Sequence, residues 1–169
     1  MGLFDKLFKK QEETLSEINV SDSAIVAIGD GELFDVHSVS DPVFAEEMMG
    51  KSTAFKFNND KVVLCSPANG TLSVLFPTGH AFGITTNEGV EILIHCGINT
   101  VETNGDGFRV LNRKQGDTVK AGDPIIEVNI KKLSVTYDMS TMLIITNANG
   151  NEYEFIEPQA VVKGQSVIK

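Results

Sequence analysis

The sequence predicts an all-β fold, an antiparallel β-sandwich or barrel-sandwich built from hairpin motifs with one or two short helices. From about residue 18 onward, short apolar runs rich in Val, Ile, Phe and Thr recur along the chain. The segments between these runs contain Gly, Asn, Asp or Pro, the residues that favour turns. Many short strands separated by turn residues are typical of a sandwich or a barrel.

Apolar runs that we predict as strands follow one another along the chain. They are residues 24–28, 61–65, 71–76, 90–96, 125–130, 142–146 and 152–156. One short helix is predicted over residues 42–49, because Asp41 can cap its N-terminus and Pro42 suits the first helical position. We expect a second helical turn around Ser140 and Thr141.

The sequence contains one internal repeat. Residues 119–127 and 161–169 share the pattern V-x-x-G-x-x-(I/V)-I-x. We interpret each copy as a strand, a tight turn at Gly122 or Gly164, and a returning strand that completes a hairpin.

Length and composition indicate one domain. The chain has 169 residues and 41% hydrophobic content, which is enough for a core of ordinary size. We predict a single domain over residues 18–169 and a flexible or amphipathic N-terminal segment over residues 1–17. Residues 1–10 combine apolar side chains with three lysines, so either weak contact with an anionic membrane or a frayed terminus fits this segment.

Charge and hydropathy exclude several classes of protein. The formal net charge is −9 and no basic stripe occurs, which excludes nucleic acid as a partner. No apolar run approaches the roughly 20 residues that span a bilayer, and no signal peptide is visible. We therefore expect a cytoplasmic protein in which Cys65 and Cys96 are buried free thiols.

Two of the three histidines lie on either side of a turn at residues 86–89. If the hairpin is centred between Asn87 and Glu88, His80 lies directly opposite His95. Their Cβ atoms would then be about 4.5–5.5 Å apart.

Two registers of this hairpin remain open. The alternation of side chains favours the first register, because it puts both imidazoles on the outer face beside Phe82 and Leu93. If Gly89 instead closes a type I turn with a G1 bulge, the register slips by one residue and pairs His80 with Cys96.

A pair of neighbouring imidazoles suits phosphoryl transfer. An imidazole nitrogen is largely unprotonated at neutral pH and is a competent nucleophile. A second imidazole N–H can donate to the charged phosphoryl oxygens, and Thr78 and the backbone of residues 77–80 can add further donors. Apolar surroundings would protect a phosphohistidine from water and would offer a docking surface. The third histidine, His37, is interpreted as an ordinary structural residue.

A zinc site is the competing interpretation of the histidine pair. Structural zinc sites have four ligands, and only Glu91 or Asp106 is available as a third ligand here. Neither an HExxH nor an HxH motif occurs. We therefore expect no metal site and no cofactor.

Seven blocks of the sequence between residues 2 and 123 carry a family pattern. They are residues 2–7, 31–33, 40–50, 66–72, 77–82, 89–101 and 116–123. These blocks resemble the glucose-type enzyme IIA of the bacterial phosphoenolpyruvate-dependent sugar phosphotransferase system. The motifs that contain His80 and His95 are long and specific.

The resemblance implies a phosphoryl carrier on an all-β sandwich. His95 would accept the phosphoryl group, His80 would orient and stabilise it, and Thr78 would support His80. The donor would be the histidine carrier protein HPr, and the acceptor would be a cysteine of a IIB domain attached to a membrane permease for sugar uptake. The resemblance also implies a partner docking patch formed by Val43, Phe44, Phe76 and Phe82, with Asp41 at its rim.

Two departures from the family pattern stand out. Asn99 occupies a position where the family commonly has Asp, so a negative charge near the phosphoryl site is lost. Residues 50–52 replace a glycine-acid-glycine pattern.

Two other functions remain as alternatives. The first is a non-catalytic regulatory protein that uses the same fold and the same histidine face to bind permeases or kinases. The second is a zinc hydrolase or a carrier of a tethered cofactor. The carrier would need a lysine at a hairpin tip, and Lys131 and Lys132 lack that setting.

Overall fold

The computed structural model describes residues 18–169, so the predictions for the segment 1–17 fall outside the described residues. Eleven short strands form between residues 31 and 161. They are β1 (Gly31–Phe34), β2 (Lys51–Lys56), β3 (Lys61–Cys65), β4 (Gly70–Leu75), β5 (Ala81–Thr86), β6 (Glu91–Cys96), β7 (Phe108–Val110), β8 (Thr118–Val119), β9 (Pro124–Asn129), β10 (Thr141–Asn147) and β11 (Gln159–Val161).

The strands form two antiparallel sheets. The large sheet has the order β11-β1-β2-β10-β6-β5-β4-β8, and the small sheet has the order β3-β9-β7. The main hydrophobic core contains side chains from both sheets, including Leu33, Phe55, Phe82, Ile92, Ile94, Leu64, Ile126 and Val128. The predicted all-β antiparallel sandwich is therefore confirmed.

Five of the seven predicted strands are present, as β3, β4, β6, β9 and β10. The other two runs, 24–28 and 152–156, form only isolated bridges at Val26 and Phe155. The backbone of the first run is held by loop partners instead, since the amide of Val26 donates to the carbonyl of Pro67 at 2.8 Å. An apolar run can thus be buried and hydrogen-bonded without lying in a sheet.

The predicted helix after Asp41 is present but short. Helix α1 spans Pro42–Ala45, and the carboxylate of Asp41 accepts a hydrogen bond from the amide of Val43 at 2.9 Å. The second predicted turn is wrong, because Thr141 begins β10 and pairs with Phe55 and Cys96. Other helical elements are the 3-10 helices η1 (Val36–Ser38) and η2 (Thr100–Thr103) and the helix α2 (Ile130–Leu133).

The two copies of the internal repeat contain tight glycine turns but not simple hairpins. Gly122 and Gly164 have φ values of +89° and +87°, a conformation that favours glycine. The strands around Gly122 do not pair with each other, because β8 pairs with β4 whereas β9 pairs with β3 and β7. Each glycine packs against Ile18, and a Cβ at either position would lie within 2.7 Å of its Cδ1 atom.

A second, smaller hydrophobic cluster lies on the outer face of the large sheet. Residues 35–49, which we call the cap, contribute Val36, Val39 and Phe44 to this cluster. The sheet contributes Ala54, Met142 and Ile144, and Ile98 completes the cluster. His95 pairs with Met142 across β6 and β10, so its side chain belongs to the face that the cap covers.

No helix among residues 18–169 is long and apolar enough to span a membrane.

Candidate active site

The β5–β6 hairpin uses the second of the two registers considered from the sequence. Ala81, not His80, lies opposite His95, and the carbonyl of His80 accepts a hydrogen bond from the amide of Cys96 at 2.8 Å. The favoured register is therefore wrong. Gly89 has φ +83° in the turn, as a G1 bulge requires, and this extra residue shifts the pairing by one position.

The two imidazoles nevertheless lie together. Gly79, with φ +76°, closes a turn by donating to the carbonyl of Phe76 at 2.8 Å. Because β5 begins at Ala81, His80 lies outside the regular alternation of the strand. The ring centroids of His80 and His95 are 5.5 Å apart, and the rings meet edge to face at 79°.

Four rings form a row across the site. The ring of Phe76 lies 5.0 Å from that of His80, and the ring of Phe44 lies 4.9 Å from that of His95. His80 is only 4% exposed, whereas Phe76 is 41% exposed at the open end of the row. The histidine pair is thus bounded on two sides by aromatic surface that restricts access of water.

The predicted docking residues fall into different environments. Val43 is 41% exposed and, like Phe76, reaches the surface, whereas Phe44 is 7% exposed and packs against His95. Phe82 is fully buried in the main core opposite Ile94, so its prediction as a docking residue is wrong. The register shift is the physical reason, because it turns Phe82 to the inner face.

The hydrogen bond of His95 defines which ring nitrogen is free. Nδ1 lies 2.9 Å from the carbonyl oxygen of Gly97, and a carbonyl can only accept, so Nδ1 carries the proton in the neutral ring. Burial, together with the neighbouring His80, lowers the pKa of His95 to about 4. At neutral pH the ring is therefore uncharged, and Nε2 presents a lone pair.

His80 is held by the hydroxyl of Thr78, whose Oγ1 lies 2.8 Å from Nδ1. Burial lowers the pKa of His80, so this ring is also neutral at pH 7. The hydroxyl of Thr78 can donate to Nδ1 of His80, and in that tautomer Nε2 carries the proton and is a hydrogen-bond donor.

The loop after β6 orients the carbonyl that His95 uses. Gly97 has φ +81°, and a side chain there would collide with Thr100. Thr100 Oγ1 donates to the carbonyl of Cys96 at 2.5 Å. Asn99 is exposed, adopts the left-handed conformation with φ 60°, and its side chain makes no capping bond to η2. The role of the Gly97 carbonyl has no signal of its own in the sequence, although Gly97 lies inside the motif around His95.

Neither residue considered as a third zinc ligand forms a metal-binding cluster with the histidine pair. Glu91 lies at the opposite end of β6 from His95, and Asp106 forms an ion pair with Lys132 at 2.6 Å. Within residues 18–169, no cluster of three or more His, Cys, Asp or Glu side chains is placed to hold a metal ion. Both cysteines are buried and free, as predicted.

Comparisons with known proteins agree on one family. The family model for the phosphoenolpyruvate-dependent sugar phosphotransferase system, EIIA 1, matches residues 23–151. The PTS system glucose-specific EIIA component of Staphylococcus epidermidis is 37% identical over 168 residues, covering 98% of this chain and 96% of that protein. The corresponding component of Haemophilus influenzae is 36% identical over 169 residues, covering 99% and 97%.

Two further matches are a longer protein and a solved structure. The PTS system glucose-specific EIICBA component of Staphylococcus carnosus is 33% identical over 173 residues, which cover 96% of this chain but 25% of that protein. The solved structure of glucose permease IIA from Mycoplasma capricolum superposes with a TM-score of 0.80 at 34% identity, covering 86% of this chain and 93% of that one.

Proposed function

Since this chain belongs to the EIIA 1 family of the phosphoenolpyruvate-dependent sugar phosphotransferase system, and is thus a phosphotransferase component of sugar transport, we propose that it carries the phosphoryl group on Nε2 of His95. The donor is phospho-HPr and the acceptor is a cysteine of a IIB domain. The protein acts in the cytoplasm and associates peripherally with the membrane permease.

The hydrogen bond from His95 Nδ1 to the carbonyl of Gly97 supports this proposal most directly. The lone pair of Nε2 attacks the phosphorus atom of the donor's phosphohistidine, and the P–N bond of the donor breaks as the new one forms. On delivery, the IIB thiolate attacks phosphorus, and the electron pair of the broken P–N bond returns to Nε2. The proton on Nδ1 stays in place throughout.

His80 stabilises the transferred group in this proposal. Its Nε2–H donates to a phosphoryl oxygen, and the bond from Thr78 keeps the imidazole oriented for that donation. The flanking rings of Phe44 and Phe76 exclude water, which would otherwise hydrolyse the phosphohistidine.

The docking patch is smaller than the family resemblance implies. We assign it to Val43 and Phe76, which are exposed beside the histidines, with Asp41 at the rim. An exposed apolar patch with an acidic rim on a chain of net charge −9 favours a partner with a basic rim.

The test is phosphoryl transfer from phosphoenolpyruvate through enzyme I and HPr, followed by intact mass measurement. Wild type should gain one acid-labile phosphoryl group, and His95→Ala should gain none. His80→Gln should gain the group but pass it on poorly to a IIB domain. His37→Ala is the matched control, because His37 lies on the exposed outer part of the cap, and it should behave as wild type.

Asn99 favours a second candidate function, a non-catalytic regulatory binding protein on the same fold. Its exposed side chain lacks the carboxylate that is common at this position in the family. If folded wild type gains no phosphoryl group whereas Asn99→Asp gains one, the carrier function fails for the natural chain and the binding function takes its place.

A further inference from the structure

A hydrogen-bonded turn at residues 138–140 lies directly behind the loop that orients His95. Asp138 Oδ1 accepts hydrogen bonds from the amide of Ser140 at 2.9 Å and from its hydroxyl at 2.7 Å. The carboxylate thereby fixes the shape of the turn that leads into β10.

The two ends of this turn hold the loop after β6. The carbonyl of Ser140 accepts from the amide of Gly97 at 3.0 Å, and the carbonyl of Asp138 accepts from the amide of Ile98 at 2.8 Å. The peptide that presents the Gly97 carbonyl to His95 Nδ1 is therefore anchored on the turn, so a shift of the turn would move this acceptor.

The second oxygen of the same carboxylate reaches the cap. Asp138 Oδ2 accepts from the hydroxyl of Ser40 at 3.0 Å, across 98 positions of sequence. Ser40 directly precedes Asp41, which caps α1, and α1 carries Phe44 against the imidazole of His95. One carboxylate thus connects the two groups that surround the acceptor ring.

The carboxyl of Asp138 is suited to this task because it is ionised at neutral pH. Partial burial opposes ionisation, but the hydrogen bonds from Ser140 and Ser40 and the charge of Lys56 outweigh it and hold the pKa below its usual value. Hydrogen bonds to a charged acceptor are stronger than those between neutral groups.

We propose that Asp138 is a positioning residue for phosphoryl transfer, acting through the 138–140 turn on the Gly97 carbonyl and through Ser40 on Phe44. This inference rests on the proposed acceptor role of His95. The hydrogen bonds of the Asp138 and Ser40 side chains do not involve the imidazole, so their effect reaches it through the tautomer, the pKa and the orientation of the ring.

The experiment compares Asp138→Ala, Asp138→Asn and Ser40→Ala with wild type by two measurements. One measurement is ¹⁵N NMR of the His95 ring, which reports its tautomer and its pKa in the unphosphorylated protein. The other is the rate of phosphorylation by phospho-HPr. We expect Asp138→Ala to give a mixture of tautomers and to slow phosphorylation by about tenfold or more, because misplaced reacting groups are costly.

The other two variants separate the contact of Asp138 with Ser140 from its contact with Ser40. Asp138→Asn keeps an oxygen acceptor and should restore most of the wild-type rate. Ser40→Ala removes only the arm to the cap, so it should raise the pKa of His95 while keeping the Nδ1–H tautomer. These two variants decide the matter if Asp138→Ala does not fold.

The matched control is Asp117→Ala. Asp117 also closes a turn, since its carboxylate accepts from the amide of Lys114 at 3.0 Å and its carbonyl accepts from the amide of Leu72 at 2.8 Å. Neither of these hydrogen bonds involves the loop after β6 or the cap. The inference is overturned if Asp138→Ala and Asp117→Ala slow phosphorylation equally. It is also overturned if folded Asp138→Ala keeps the wild-type tautomer and pKa of His95 and a phosphorylation rate within about twofold of wild type. If wild type accepts no phosphoryl group, the proposed function fails, and the NMR measurement still tests the positioning of the ring.

Discussion

Phe44 and His95 lie ring against ring, with their centroids 4.9 Å apart, where the cap meets the large sheet. The contact couples the packing of residues 35–49 to the chemistry of the imidazole. Phe44 is 7% exposed, so most of its ring surface packs against other residues of the protein.

Replacing Phe44 with alanine should expose the imidazole to water. We expect the pKa of His95 to rise from about 4 toward its ordinary value of 6.5, and the phosphorylated protein to lose its phosphoryl group faster. The lost packing should also cost about 3 kcal/mol of unfolding free energy. Histidine titration by NMR and the decay of the phosphoprotein measure the two effects. Phe44→Leu is the control, since it keeps apolar cover, and equal decay rates for both variants would contradict the explanation.

The low pKa of His95 should make wild type less stable in mild acid. The unfolded chain binds a proton near pH 6.5 whereas the folded ring binds it only near pH 4, so stability falls as the pH drops between these values. At pH 5 this difference amounts to about 2 kcal/mol at most. His95→Gln should therefore lose less stability than wild type between pH 7 and pH 5. Thermal unfolding at both pH values tests this, and parallel losses in the two proteins would show that His95 is not the group responsible.

His37 should have the opposite pH dependence. Its hydrogen bond to Asp35, at 2.6 Å from Nδ1, raises its pKa above 6.5, and Glu47 lies 3.6 Å from Nε2. A raised pKa gives a stabilisation that is fully present below pH 6.5 and is lost as the pH rises through the higher pKa of the folded state. His37→Gln should thus lower the melting temperature at pH 6 and leave it unchanged at pH 9.

The effect of His37→Gln should be small, because the imidazole is 64% exposed. Salt offers an independent check, since 1 M NaCl should shrink the difference at pH 6. A difference that persists at pH 9 or in high salt would indicate a contribution from packing instead.

Substitutions of Phe82 and Phe76 should have different effects, one on the stability of the protein and the other on the docking of its partner. Phe82 is fully buried in the main core, so Phe82→Leu should destabilise the protein by about 1 kcal/mol or more and leave the KM for phospho-HPr near the wild-type value. Phe76 is 41% exposed, so Phe76→Ala should raise that KM with little change in stability. Denaturant unfolding of both variants measures the change in stability, and phosphoryl-transfer kinetics measure the change in KM. A raised KM in Phe82→Leu alone would reverse our assignment of the two rings.

Local signals in the sequence were sufficient to predict one helix and several strands. Asp41 followed by Pro42 identified the start of α1, because a capping side chain and a proline act on the amides next to them. The turn residues and the apolar runs identified five strands and the all-β class. The helical turn predicted at Ser140 and Thr141 failed because the local pattern does not show that Thr141 pairs with strands on both sides.

By itself the sequence determined the fold class, the family and the pair of histidines that are candidates for the site, because turns, caps and motifs depend on residues close together in the chain. Only the tertiary structure decided the register of the hairpin, and with it the burial of Phe82, because a single bulge at Gly89 exchanges the two faces of a strand. It also decided which groups hold His95 in place. The carboxylate of Asp138 reaches Ser40 across 98 residues, and no local pattern encodes a contact that exists only when strands from distant parts of the chain lie side by side.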